Sequence, residues 1–160
     1  MSRFYSIDDA NALVPDLVVV IGRLQAQRDE LIEIRDAYRR HEGAVMESVG
    51  GSSAGGPSVH RVDDDPDDGD ADDPELRRLR LRMRGIVDQM QADVAWLDGR
   101  SITLRDIPTG LLDFPALVSG RQVWLCWRMG EDDVAFWHGQ DEGFAGRRPL
   151  ADLPGTTAQA

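Results

Sequence analysis

A chain of 160 residues predicts a single domain able to bury roughly two thirds of its unfolded surface in one core. Its formal net charge is −11, and eight Asp between positions 63 and 73 carry most of it; the excess repels phosphate backbones, and the arginines at 35–40, 77–84 and 147–148 are interleaved with acids or apolar residues, so nucleic acid is disfavoured as a partner. The single cysteine, Cys126, excludes an intrachain disulfide, and the most apolar stretch, 13–21, is broken by Pro15 and Asp16 and is short of the ~20 residues of a membrane span, so a cytoplasmic chain with no signal peptide or membrane segment is expected.

Ser6 and Asp9 have the spacing of a capping box, which predicts a short helix over 7–14. Pro15 then either kinks it or begins the next helix. Over 15–42, Leu17, Val20, Ile21, Leu24, Leu31, Ile34 and Tyr38 recur at three- and four-residue steps, the pattern of a long amphipathic helix. Arg28 interrupts the stripe and either snorkels or meets an acid, and Gly43 is the predicted stop. Residues 44–73 hold a Gly/Ser-rich run and the Asp run, neither able to offset its ordering entropy, which predicts a flexible solvated loop. Within it Asp64, Asp68, Gly69, Asp72 and Glu75 fit a calcium-loop register, but Pro66 stands where a ligand belongs.

Asp73 caps a second long helix with Pro74 at its first position. Its stripe of Leu76, Leu79, Met83, Ile86, Met90 and Leu97 has coiled-coil spacing, broken at Asp93. Two striped helices joined by a loop bury each other by packing antiparallel, with Leu24 and Ile86 inside. After a stop at Asp98-Gly99, residues 101–107 read as a short extended piece, and 111–117 as an apolar segment in which Pro115 bars a regular central strand. Residues 121–128 and 134–138 alternate and are rich in Trp, which predicts an aromatic β-hairpin. The expected fold is mainly α with a small β element: a long antiparallel helical hairpin plus a C-terminal aromatic β-hairpin, one domain over 1–150 and a disordered tail over 151–160.

The motifs Leu112-Asp113-Phe114-Pro115-Ala116, Leu125-Cys126-Trp127-Arg128-Met129-Gly130-Glu131, Phe136-Trp137-His138 and Gly143-Phe144-Ala145-Gly146-Arg147, with Arg3-Phe4-Tyr5-Ser6 and Ala10-Asn11-Ala12-Leu13-Val14-Pro15 at the start, resemble DUF2203, a family of small bacterial proteins of unknown function. The resemblance spans the chain apart from the Gly/Asp-rich loop and implies the same first segment and long helices.

Chemically capable side chains gather near the C-terminus. His138, Glu131, Asp141 and Glu142 are candidate ligands of a divalent metal, Arg128 and Arg147 candidate anion binders, and Cys126 a candidate thiol or buried hydrophobe. The segment 143–147 lacks the spacing of a nucleotide-binding fingerprint, and reads as a turn in which Phe144 plugs the core and Arg147 pairs with an acid. Trp124, Trp127 and Trp137 are either the mass that fastens the hairpin to the helices or an interaction surface. The leading expectation is a noncatalytic structural or protein-interaction module, as a homo-oligomer or with a protein partner. The alternative is a small metal- or anion-binding protein or enzyme with its site in the C-terminal hairpin.

Overall fold

The chain, described by a computed structural model over residues 3–50 and 73–155, is mostly helical with a small antiparallel β sheet. Helix α1 (Ile7–Gly50) opens on the predicted capping box: Asp9 N donates to Ser6 Oγ at 3.0 Å and Ser6 N to Asp9 Oδ2 at 3.4 Å. The helix does not break at Pro15, nor does it stop at Gly43. A proline inside a helix costs about 3 kcal/mol. Fully burying Leu17, Ile21 and Leu24 returns about 1.5–3 kcal/mol each, so packing outweighs the lost hydrogen bond. Helix α2 (Pro74–Asp98) begins as predicted, with Asp73 Oδ1 accepting from Glu75 N at 2.9 Å and Leu76 N at 3.4 Å, and ends where Gly99 N meets Ala95 O at 2.9 Å.

The β element is larger than a hairpin. Strands β1 (Thr103–Asp106), β2 (Leu111–Val118), β3 (Arg121–Arg128), β4 (Phe136–Gly139) and β5 (Arg148–Pro149) form one antiparallel meander in chain order. Pro115 does stand inside a regular strand. The β2–β3 ladder runs from Leu111 to Val118, whereas β1 covers only residues 111–113 of the opposite edge. Pro115 O accepts from Tyr5 N at 2.8 Å on that opposite edge, so its missing amide falls where no ladder bond is owed.

The contacts divide into two compact units, Met1–Arg28 with Gln89–Ala160, and Asp29–Asp88. In the first, the sheet's inner face (Leu112, Phe114, Ala116, Val123, Leu125, Trp127, Trp137) shares one core with Tyr5, Ala10, Val14, Leu17, Ile21 and Leu24. The break in the α2 stripe is explained here: Asp93, 7 % exposed, takes both oxygens to the Arg23 guanidinium, and Gln27 Nε2 donates to Gln89 Oε1 at 3.1 Å, so the helical segments run antiparallel. In the second unit Glu30 pairs with Arg82, His41 Nε2 meets Asp73 Oδ2 at 2.7 Å, and Ile34, Leu76 and Ile86 are buried.

Several expectations need amending. The aromatic residues form no cluster: Trp127 and Trp137 are core residues, while Trp124 and Phe136 lie on the outer face under Arg105 and Arg147. Of the predicted loop, residues 44–50 continue α1, and the calcium register at Asp64, Pro66, Asp68, Gly69 and Asp72 lies outside the described residues. Of the predicted tail, Leu150–Asp152 form a 3-10 turn and Leu153 is buried in the first unit's core, while 156–160 lie outside the described residues. Phe144 is 49 % exposed and plugs no core.

Candidate metal centre

Strand alternation builds the site. If Leu112, Phe114, Leu125 and Trp127 face the helices, the residues between them, Asp113, Trp124 and Cys126, face the other way. Register then sets their neighbours: Asp113 lies opposite Cys126, and His138 opposite Trp124, one pair along. Among the described residues, Asp113, Cys126 and His138 are the group whose ligand atoms are close enough to share a metal, all within 4.8 Å of one another. All three are buried, at 2 %, 1 % and 4 % exposure.

Hydrogen bonds orient the group. His138 Nδ1 faces the Gly139 carbonyl oxygen at 2.9 Å, which can only accept, so Nδ1 carries the hydrogen. The other nitrogen, Nε2, stands 3.0 Å from Asp113 Oδ1. Oδ1 is buried and makes no regular hydrogen bond, so this close contact with Nε2 is what it has. A ring nitrogen and a carboxylate oxygen facing each other in a dry site call for positive charge between them, either a proton or a metal ion. Asp113 Oδ2 is satisfied separately, accepting from Arg105 Nε at 2.7 Å.

The thiol is held in two ways. Burial pushes the Cys126 pKa up to about 11, and the Asp113 carboxylate adds to the rise. Arg147 opposes them, its Nε donating to Cys126 Sγ at 3.2 Å while its Nη2 holds Glu131 Oε2 at 2.6 Å and its guanidinium stacks 4.0 Å from the Phe136 ring. Although burial works against its charge, hydrogen bonds to Glu131 and Cys126 raise the Arg147 pKa, so it stays a fixed cation beside the sulfur.

A cavity of about 330 Å³ opens on the group, lined by Arg105, Gln140, Asp141, Glu142 and Phe144 as well as the three ligand candidates. Metal–ligand lengths of about 2.0–2.3 Å set tetrahedral ligands roughly 3.3–3.8 Å apart, so closing a spacing of up to 4.8 Å takes a contraction of about 1.5 Å at most. One nitrogen, one oxygen and one sulfur suit zinc and its neighbours rather than calcium or magnesium.

Of the residues singled out in the sequence, His138 and Cys126 belong to this group. Glu131 does not: it accepts from Arg147 and from Arg128 N at 2.8 Å. Glu142 accepts from Gly139 N at 3.0 Å and pairs with Arg148, and Asp141 is an exposed residue of the cavity wall. Of the anion candidates, Arg147 is engaged by Glu131 and Arg128 is exposed, and both guanidinium groups lie near the Phe144 ring, at 5.3 and 5.9 Å from its centre. Trp127 is fully buried, Trp137 is buried but edges a separate cavity of about 580 Å³, and Trp124 is half-buried beneath Arg105. Asp113 and Arg105 carry no such signal in the sequence, because Asp113 sits in an otherwise apolar motif and only its register opposite Cys126 reveals it.

The family profile described as "Uncharacterized conserved protein (DUF2203)" matches residues 3–150. The chain belongs to the DUF2203 family. Asp113, Cys126 and His138 all lie inside the matched span, as do Arg105 and Arg147, so the buried cluster is part of the DUF2203 region and not of an appendage to it. Comparison with curated proteins and with solved structures finds no match.

Proposed function

We propose that this DUF2203 protein binds a divalent transition metal, zinc or a close neighbour, through His138 Nε2, Cys126 Sγ and Asp113. The observation that supports it most is the buried cluster itself, in which Asp113 Oδ1 makes no regular hydrogen bond and lies 3.0 Å from the Nε2 of a histidine whose other nitrogen is already committed to a backbone carbonyl. Histidine ligands of metals are oriented in this way, by a hydrogen bond from the nitrogen that does not bind. Three protein ligands with a fourth direction toward a cavity is the form of a reactive centre more than of a closed structural one. When bound there, a zinc-class ion supplies Lewis acidity; Arg105 fixes Asp113, and Arg147 steadies the thiolate.

The test is elemental analysis of the full chain purified without a histidine tag. About one equivalent of metal is expected, falling below a tenth of that in His138→Ala and in Cys126→Ala. A protein with no metal after incubation with excess zinc would sink the reading.

A role in protein association is a second reading, and one observation favours it. The unit formed by Asp29–Asp88 carries an apolar groove of about 300 Å³ lined by Ile34, Tyr38, Leu79 and Met83, with Leu81 61 % exposed on the same helix as Met83. Light scattering over a concentration series checks it, a concentration-independent monomer counting against self-association.

A further inference from the structure

Arg105 is the extra residue of a bulge. Leu104 pairs with Leu112 and Asp106 with Leu111, so the β1–β2 ladder steps over Arg105. Bulges re-aim side chains. Here the guanidinium is carried across the outer face of the sheet, 5.1 Å from the centre of the Trp124 ring, with Nε committed to Asp113. Its two terminal nitrogens have no acceptor among the described residues, although Arg105 lines the cavity that opens on the metal-ligand candidates.

Resting on the metal reading above, the geometry points to a small carboxylate as the ligand of this cavity, held by the free edge of the Arg105 guanidinium next to the metal's open direction. A guanidinium edge presents two donors at the spacing of two carboxylate oxygens. Charge selects the carboxylate over a phosphate. Part of the Arg105 charge is already offset by Asp113, and Asp141, exposed and without an ion-pair partner among the described residues, adds a negative charge to the wall. Glu142 adds none that is unbalanced, because Arg148 pairs with it. A divalent ion held there would have its charge offset by Asp113 and the Cys126 thiolate, so Asp141 remains as the opposing charge and repels a dianion about twice as strongly as a monoanion. The same Asp141 suits a ligand whose far end donates hydrogen bonds or carries a positive charge, as an amino acid does.

The experiment uses the full chain loaded with cobalt, whose visible spectrum reports on groups entering its coordination sphere, titrated with acetate, glycine and inorganic phosphate. Metal content is measured first. Expected are saturable changes with acetate and glycine, glycine binding the tighter, and a weaker response to phosphate. Arg105→Gln should lower carboxylate affinity about ten-fold or more. Arg105→Lys, which keeps a cation beside Asp113, should lose less while holding the same metal content. Wild-type protein that holds metal but shows no carboxylate response, responds best to phosphate, or responds equally in Arg105→Gln would overturn the inference and leave the metal reading standing. Failure of the wild type to hold metal would overturn both.

Discussion

Cys126 carries the sharpest consequence of burial. An unfolded chain loses its thiol proton at about 8.5, whereas the folded chain holds it to about 11. The thiol is therefore neutral in both states below the first value and contributes no pH dependence there. Above it the unfolded state ionises first, so stability is lost as the pH rises from about 8.5 toward about 11. Metal-free protein should show its melting temperature falling across that window more steeply than Cys126→Ala does; equal slopes would mean that other groups set the trend. A bound metal reverses the situation, because the ligand is the thiolate, and uptake must release a proton. At this scale the sequence exposed the residue types and hid their company. His138 and Cys126 stand out by chemistry alone, but Asp113 becomes a neighbour of Cys126 only through strand register, and Arg105 reaches Asp113 only because a bulge turns it.

The elements divide by how local their causes are. Ser6 with Asp9, Asp73 with Pro74, and Gly99 act within one helical turn, and each boundary lies where those residues predict it. Pro15 and Pro115 are overruled by tertiary contacts: one by a core that needs a continuous helix, the other by an edge that has no bond to lose. The two-residue β5 has too little pattern to be read as a strand before its partner is known, whereas β1 lies within the extended piece expected over 101–107. Gly110, in the turn before β2, tests the packing of these elements directly. Its φ of +66° already disfavours a side chain, and a Cβ there would stand 2.6 Å from Met129 Cβ and 2.8 Å from Ile21 Cγ2. Gly120 has a similar φ of +76° but open space around it. Gly120→Ala should cost about 1–2 kcal/mol from backbone strain alone. Gly110→Ala should cost about 2–3 kcal/mol more, because an Ile21 methyl on α1 and the Met129 Cβ just past β3 must both move. Chemical denaturation of the two variants gives the difference, and equal losses would mean that the turn yields more easily than its contacts imply.

Across the whole molecule, the two compact units are built from different amounts of core. The first holds the sheet and the large buried side chains Trp127, Phe114, Leu17, Ile21 and Leu24; the second, Asp29–Asp88, has Ile34, Leu76 and Ile86 as its buried apolar residues among those described. Local opening follows buried apolar contact, so amide exchange should be faster for described residues of the second unit than for residues 14–24 and 111–127 of the first. Metal makes this comparison decisive. The proposed ligands Asp113, Cys126 and His138 all belong to the first unit, and a ligand that binds only the folded form stabilises it by about 2.7 kcal/mol at one hundred times its dissociation constant. Zinc should therefore slow exchange in β2, β3 and β4 by about a hundred-fold where exchange goes through opening of that unit, and leave residues 74–88 nearly unchanged. The protection should fade as the pH is lowered, since protons compete for the Cys126 sulfur and His138 Nε2. Uniform slowing in both units would mean that they open together; slowing confined to the second would place the metal elsewhere.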